Sequence, residues 1–204
     1  MLISFGNQQE KNWNTPDKEA GFFFLKSHAE NILQLCGYAV GSCVATSTGN
    51  NLFAEALAYK ANHTDILLLG MINTDITAQF GLDKPVYAAE FNVQALLSHI
   101  KTTKTQYKEL PKFPGVQRDL ALLVDASQQF GQIADVAMKA ESKLLKKVGL
   151  FDVYKGKNLP DGKKSYGISF LLQDEGKTLN DKQIEKTMER IRQAIERETG
   201  ATVR

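Results

Sequence analysis

Apolar residues recur at helical spacing in one segment near the start of the chain. The apolar face of this segment comprises Leu25, Ala29, Ile32, Leu33 and Cys36. Ser27 and Glu30 have the separation of a capping box, in which a hydroxyl and a carboxylate satisfy the first free amides of a helix. Gly37 suits the left-handed conformation that ends many helices. We therefore predict a helix over residues 27–36.

The rest of the first half is dominated by apolar runs with the length of strands. They predict strands over residues 51–60, 65–72 and 86–91 and a short helix over residues 74–80. After Asp65, the strand over 65–72 has no polar side chain, so we expect both of its faces to be buried. Leu2, Ile3 and Phe5 have the pattern of a strand already under way, from which we expect the sequence to be part of a longer protein.

The second half alternates between strand and helix patterns in the order β-α-β-β-α-β. The segments are 118–125, 130–145, 147–154, 164–173, 180–200 and 201–204. Asn180 and Gln183 have capping positions at the start of the long helix, and Gly200 can end it. The buried stripe of this helix is expected to be Ile184, Met188, Ile191 and Ile195. This order is the ferredoxin-like arrangement.

The segment between the two halves has no sustained periodicity. Residues 101–117 include Pro111, Pro114 and Gly115, which interrupt regular structure. We therefore predict a linker over 101–117, a first domain over 1–100 and a second domain over 118–204. The predicted fold class is α+β.

Alternation along the strands of the second domain predicts which side chains share a face of the sheet. The apolar face, which must meet the helices, comprises Tyr166, Ile168, Phe170 and Leu172, together with Phe151 and Val153 from the neighbouring strand. The opposite face carries Asp152, Tyr154, Ser165, Gly167 and Ser169. Four lysines are expected at the rim of that face: Lys155, Lys157, Lys163 and Lys164.

An aromatic ring among small polar side chains and lysines is what recognition of single-stranded nucleic acid requires. The ring of Tyr154 can stack on a splayed base, a contact worth roughly 1–3 kcal/mol. The Asp152 carboxylate and the Ser165 hydroxyl can hydrogen-bond to a base edge, and the N1–H and N2–H₂ of guanine suit a carboxylate. The lysines attract phosphates. Two other interpretations stay open: a face that is only solvated, and a face covered by another subunit.

The composition excludes several classes of protein. Apolar residues make up 43% of the chain and charged residues 24%, which excludes fibrous, coiled-coil and disordered proteins. No apolar run approaches the ~20 residues that span a bilayer, and no export signal opens the chain. Cys36 and Cys43 are too few for a disulfide framework and are expected to be small core residues. We therefore expect a cytoplasmic protein without a membrane partner.

The net charge of +2 combines two unlike halves. Residues 1–100 carry five basic and nine acidic residues, a net charge of −4, whereas residues 101–204 carry twenty and fourteen, a net charge of +6. The second half is therefore the candidate for an anionic partner.

Chemistry typical of catalysis is absent from the sequence pattern. The three histidines, His28, His63 and His99, stand apart from cysteines and carboxylates at metal-ligand spacing. No nucleophile–base pair and no paired carboxylates emerge. We predict no metal site and no catalytic residue in this chain.

Several short motifs in the second half occur in the order and at the spacing of one family. They are Phe113-Pro114 with Arg118-Asp119-Leu120-Ala121, Leu150-Phe151-Asp152-Val153-Tyr154, Gly162-Lys163-Lys164-Ser165, Thr178-Leu179-Asn180-Asp181, and Gly200-Ala201 with Arg204. On these motifs the second half resembles the ferredoxin-fold anticodon-binding domain of bacterial phenylalanyl-tRNA synthetase β subunits.

The first half is similar to the end of the catalytic-like module of the same subunits. The similarity lies in Phe22-Phe23-Phe24-Leu25-Lys26, Leu69-Gly70-Met71-Ile72, Phe80-Gly81-Leu82 and Val86-Tyr87-Ala88-Ala89-Glu90-Phe91. The sequence departs from the family at Asn73-Thr74, where His-Pro is usual. The resemblance implies a C-terminal part of a β subunit, with a partial class II synthetase-like antiparallel α/β module before a ferredoxin-like βαββαβ domain.

The resemblance also implies a division of labour. In this family the α subunit uses ATP and magnesium to activate phenylalanine, so the complete enzyme needs both cofactors, whereas this part of the β subunit needs none. The first half is implied to be a non-catalytic scaffold of an (αβ)₂ heterotetramer with the α subunit. The second half is implied to bind the anticodon of tRNA-Phe, with Tyr154 stacked on the first anticodon base and Asp152 and Ser165 on the edge of that guanine. Arg204 and the rim lysines complete the implied site.

Two other functions stay open. Ferredoxin-like sheets also occur in regulatory modules that bind amino acids, and the chain could instead be a pure interaction scaffold.

Overall fold

The computed structural model describes residues 1–38, 44–61, 63–100, 107, 109–156 and 158–204, without the side chains of residues 44–48 and 99. The chain divides into two compact units, Met1–Tyr107 and Lys108–Arg204. Residues 101–106 and 108 of the predicted linker lie outside the described residues, so the linker and the exact domain bounds stay a prediction.

The first unit is an antiparallel sheet of five strands with helices on both faces. Its elements are β1 (Leu2–Ser4), α1 (Phe22–Leu35), β2 (Val44–Thr48), β3 (Phe53–Ala61), β4 (Thr64–Ile72), α2 (Thr74–Gln79), β5 (Tyr87–Phe91) and α3 (Val93–Ile100). The strand order is β1-β5-β4-β3-β2. The three predicted strands and the short helix α2 are confirmed within a few residues, and the strand expected around Leu2 is β1.

Strand β4 is buried on both faces, as its continuous apolar sequence predicts. On one face Leu67 and Leu69 pack with α1. On the other face Ile72 packs in a second cluster with Phe53, and Ile76 of α2 lies against that cluster. Two cores therefore enclose this strand.

Helix α1 begins at Phe22, five residues before the predicted start, and the predicted capping box is wrong. Ser27 lies inside the helix, where its hydroxyl donates a hydrogen bond to the carbonyl of Phe24 at 2.8 Å. Glu30 instead accepts a hydrogen bond from the hydroxyl of Tyr59 at 2.7 Å. The helix extends because Phe22 continues the apolar stripe and packs against the core. The buried face of Leu25, Ala29 and Leu33 is confirmed, and Gly37 has the expected positive φ of 77°.

Two elements of the first unit were not predicted, β2 and α3. At the start of α3 the side chain of Asn92 accepts a hydrogen bond from the amide of Ala95 at 3.0 Å, which is the geometry of a helix cap. Cys36 is a free thiol that is partly exposed rather than a core residue, and Cys43 lies outside the described residues. No helix in the described part of the chain is long and apolar enough to cross a membrane.

The second unit has the predicted βαββαβ order. Its elements are β6 (Val116–Asp125), α4 (Phe130–Ala140), β7 (Leu145–Tyr154), β8 (Lys163–Leu172), α5 (Asp181–Thr199) and β9 (Thr202–Val203). The sheet is antiparallel with strand order β7-β8-β6-β9, so the ferredoxin-like fold is confirmed. Helix α4 ends five residues earlier than predicted, because the Glu141 carboxylate accepts hydrogen bonds from the amides of Lys143 and Leu144 at 3.0 Å each and turns the chain into β7.

Helices α4 and α5 bury one face of this sheet. The core joins Ile133 of α4 and Ile191 of α5 to the alternate residues of β8 from Tyr166 to Leu172. The predicted stripe of α5 is confirmed, with Met188 partly rather than fully buried. Gly200 ends α5 in the left-handed conformation, with φ of 67°, and lets the chain return to the sheet as β9.

The capping box of α5 makes a testable contribution to stability. The side-chain oxygen of Asn180 accepts a hydrogen bond from the amide of Gln183 at 2.9 Å, and the Gln183 side chain accepts one in return at 3.3 Å. We expect Asn180→Ala to destabilise the second unit by about 0.5–2 kcal/mol, because the first turn loses its cap. Urea unfolding with hydrogen exchange of the α5 amides measures this. Asn158→Ala, in an exposed loop, is the control, and equal unfolding midpoints for the two variants would contradict the prediction.

Candidate nucleic-acid interface

One face of the sheet in the second unit is covered by neither α4 nor α5, and we call it the open face. The register pairs Asp152 with Gly167 and Tyr154 with Ser165. On β8, Ser165 and Gly167 alternate with Tyr166, which is buried in the helix-covered core. Their partners Tyr154 and Asp152 on β7 lie on the same side as they do. The prediction that they share the face opposite to the helices is confirmed.

A row of residues on the open face crosses three strands and ends directly after the fourth. Asp152 on β7 pairs with Gly167 on β8, which pairs with Ala121 on β6. The amide of Arg204, directly after β9, donates a hydrogen bond to the carbonyl of Ala121 at 2.9 Å. The row therefore has a carboxylate residue at one end, an exposed arginine at the other and the two smallest residue types between them.

Tyr154 stands beside this row with 40% of its surface exposed. Its ring lies so close to Gly156 that any side chain at position 156 would collide with the ring and its hydroxyl group. The turn after β7 therefore needs glycine there to leave Tyr154 in place.

Asp152 and Ser165 differ in accessibility. Asp152 is exposed, whereas Ser165 retains only 8% of its surface. The structure thus places Asp152 and Ser165, the two residues predicted to contact a base edge, on one face with Tyr154. The carboxylate of Asp152 is much more accessible to a ligand than the hydroxyl of Ser165.

Phe151 lies on the open face, so the prediction that it points to the helices is wrong. The register steps from Leu150 opposite Ile168 to Asp152 opposite Gly167, which leaves Phe151 as the extra residue of a β-bulge. A Cβ added to Gly167 would point to the open face and lie 2.7 Å and 2.8 Å from two ring carbons of Phe151. The ring therefore rests against Gly167, with 62% of the residue exposed. Val153, beyond the bulge, pairs with Tyr166 and so lies on the helix-covered side, as predicted.

Two of the predicted rim lysines lie where a phosphate could reach them. Lys155 is exposed directly after β7. Lys163 begins β8, and its ammonium nitrogen lies 2.7 Å from the carboxylate of Asp125 on β6. Lys157 lies outside the described residues.

Lys164 does not lie at the rim, and its predicted placement is wrong. It shares strand parity with Tyr166 and so belongs to the helix-covered side, where only 8% of it is exposed. Its ammonium group donates a hydrogen bond to the carbonyl of Ala126 at 2.8 Å and lies 4.8 Å from the centre of the Tyr166 ring. Both contacts satisfy a charge that burial would otherwise penalise.

The open face presents two exposed rings, those of Phe151 and Tyr154, beside the exposed residue Asp152. Across the described residues no group of three or more histidine, cysteine, aspartate or glutamate side chains could hold a metal ion. The sequence pattern placed Tyr154 on this face and missed Phe151, because strict alternation has no signal for an extra residue in a strand.

Two family models match the chain. The ferredoxin-fold anticodon binding domain matches residues 111–204, which contain every residue of the open face. The phenylalanyl tRNA synthetase beta chain CLM domain matches residues 1–93.

Curated relatives match almost the whole chain. The phenylalanine–tRNA ligase beta subunit of Porphyromonas gingivalis is 41% identical over 200 residues, covering 98% of this chain and 24% of the relative. The subunits of Bacteroides thetaiotaomicron and Clostridium acetobutylicum are 40% and 34% identical, over 98% and 90% of this chain and 24% and 23% of each relative. The chain therefore spans about a quarter of the length of these relatives.

The burial of Lys164 predicts a difference in chemical reactivity between neighbouring lysines. We expect an amine-reactive ester to modify Lys164 about 10- to 140-fold more slowly than Lys155, because modification requires loss of a charge-assisted hydrogen bond, worth about 1.5–3 kcal/mol. Mass spectrometry of the digested protein after brief labelling measures both rates. Equal rates at the two lysines would show that Lys164 is accessible after all.

Proposed function

This chain belongs to the phenylalanyl-tRNA synthetase β-chain family, and on that premise we propose that its second unit binds the anticodon of tRNA-Phe. The observation that carries the proposal is the exposed ring of Tyr154 beside the accessible carboxylate of Asp152 on the open face. An exposed ring stacks on any base, whereas a carboxylate selects an edge with adjacent hydrogen-bond donors.

We assign a different role to each side chain of the site. Tyr154 stacks on the first anticodon base, and Asp152 accepts hydrogen bonds from the N1–H and N2–H₂ of that guanine. Ser165 is buried beneath this contact and makes a secondary one. Lys155, Lys157, Lys163 and Arg204 provide the attraction to phosphate, for which Lys163 must exchange its contact with Asp125.

We propose that the first unit is a non-catalytic scaffold that binds the α subunit in an (αβ)₂ heterotetramer. Phe23, Leu35 and Phe80 are large apolar residues exposed on this unit, and such residues are typical of those that a subunit interface buries. In this proposal the assembled enzyme is a cytoplasmic ligase. Its α subunit uses ATP and magnesium, and this chain contributes tRNA binding to the reaction.

The stacking role of Tyr154 predicts a loss of affinity for RNA. We expect Tyr154→Ala in the 204-residue chain to weaken binding of the tRNA-Phe anticodon stem-loop by about 1–3 kcal/mol, because one base loses its aromatic partner. Fluorescence anisotropy at fixed salt gives the dissociation constant. Tyr107→Ala, which removes an exposed tyrosine of the first unit, is the matched control. An unchanged constant for Tyr154→Ala would reject the proposal.

The proposed contact between Asp152 and the guanine edge predicts that the effects of changing Asp152 and of changing this base are coupled. Replacing the guanine at the first anticodon position by inosine removes the N2 amino group, and Asp152→Ala removes its acceptor. We expect inosine to weaken binding to the wild-type chain by about 1.5–3 kcal/mol, the range for a hydrogen bond to a charged group. Inosine should have little effect on Asp152→Ala, since the partner is already gone. Additive effects of the two changes would show that Asp152 does not contact this edge.

A further inference from the structure

We infer that Phe151 is a second base-stacking platform, which holds the nucleotide next to the base held by Tyr154. The inference rests on the proposed function, because it concerns the same face and the same RNA.

The bulge decides where the Phe151 ring lies. Strict alternation with Val153, two residues along β7, would place this side chain on the helix-covered side. The register shift instead turns it to the open face, where its ring rests against Gly167. Bulges re-aim side chains in this way and are frequent beside functional sites.

Gly167 makes room for the ring. Any side chain at this position would meet Cε2 and Cζ of Phe151 at less than ordinary contact distance, at 2.7 Å and 2.8 Å from the Cβ alone. The ring therefore stands against bare backbone and keeps 62% of the residue exposed to solvent. A phenyl ring left this open on a polar sheet face has its apolar surface available to a ligand.

The two residues that carry the rings lie at neighbouring open-face positions of the sheet. Phe151 rests on Gly167, and Tyr154 pairs with Ser165, two residues away on β8. A strand rises about 3.3 Å per residue, so these positions are roughly 6.6 Å apart along β8. Four-stranded sheets that bind single-stranded RNA use several exposed rings to stack two or three successive bases. We therefore expect that, when Tyr154 stacks on one base, Phe151 meets the next nucleotide of the RNA chain.

The chemistry of the second platform differs from that of the first. A phenyl ring has no hydrogen-bonding group, so Phe151 adds affinity without selecting the base. Asp152, which lies between Phe151 and Tyr154 in sequence, is the selective group of the face. Phe151 is thus expected to support binding equally for any base at the neighbouring position.

The test compares variants of the 204-residue chain that keep or remove the aromatic face. Phe151→Leu keeps apolar bulk, and we expect it to weaken stem-loop binding roughly 5- to 140-fold, for every base at the position after the first anticodon base. Phe151→Tyr should bind as the wild-type chain does. Phe5→Leu, at another exposed phenylalanine of the first unit, is the matched control. Circular dichroism spectra that match the wild type establish that each variant is folded.

The outcomes separate this inference from the proposal beneath it. Loss of affinity in Phe151→Leu with rescue by Phe151→Tyr supports a second platform. Full affinity in Phe151→Leu, together with a loss in Tyr154→Ala, overturns the inference and leaves the anticodon site standing. No binding of the stem-loop by the wild-type chain overturns both. A base-dependent loss in Phe151→Leu would overturn the assignment of a non-selective role.

Discussion

The burial of one sheet face beneath α4 and α5 is the constraint on which the second unit depends. Because Tyr166, Ile168, Phe170 and Leu172 must all lie in that core, the register of β8 cannot slip by one residue without exposing every one of them. The same constraint turns the residues that alternate with them, Ser165, Gly167 and Ser169, to the open face. The position of the candidate site is therefore a consequence of core packing on the other side of the sheet.

The bulge at Phe151 is the local exception that this constraint permits. The helix-covered side keeps its pairs on both sides of the bulge, Leu150 with Ile168 and Val153 with Tyr166. Since the register of the core is restored after one extra residue, the cost is confined to one unpaired position. The result is a second ring on the open face at no loss of core alignment.

Positive charge is used in two different ways along one short stretch of β8. Lys163 faces the open side and pairs with Asp125, whereas Lys164 is enclosed by the Ala126 carbonyl and the Tyr166 ring. The net charge of the second half therefore overstates the cations available to an anionic partner, because at least one of them stabilises the fold instead.

The sequence by itself determined the order of elements in the second unit, the faces of β8, and both ends of α5, from Asn180 to Gly200. These features follow from periodicity and capping chemistry, which are properties of neighbouring residues. Only the tertiary structure decided the start of α1 at Phe22, the side of Phe151 and the burial of Lys164. Each of these depends on contacts between residues distant in sequence, where burial outweighs a local signal or one extra residue shifts a strand. The resemblance indicated a nucleic-acid face built around Asp152, Tyr154 and Ser165. The folded sheet placed the Phe151 ring on this face, placed Lys164 on the helix-covered side and left Asp152 exposed.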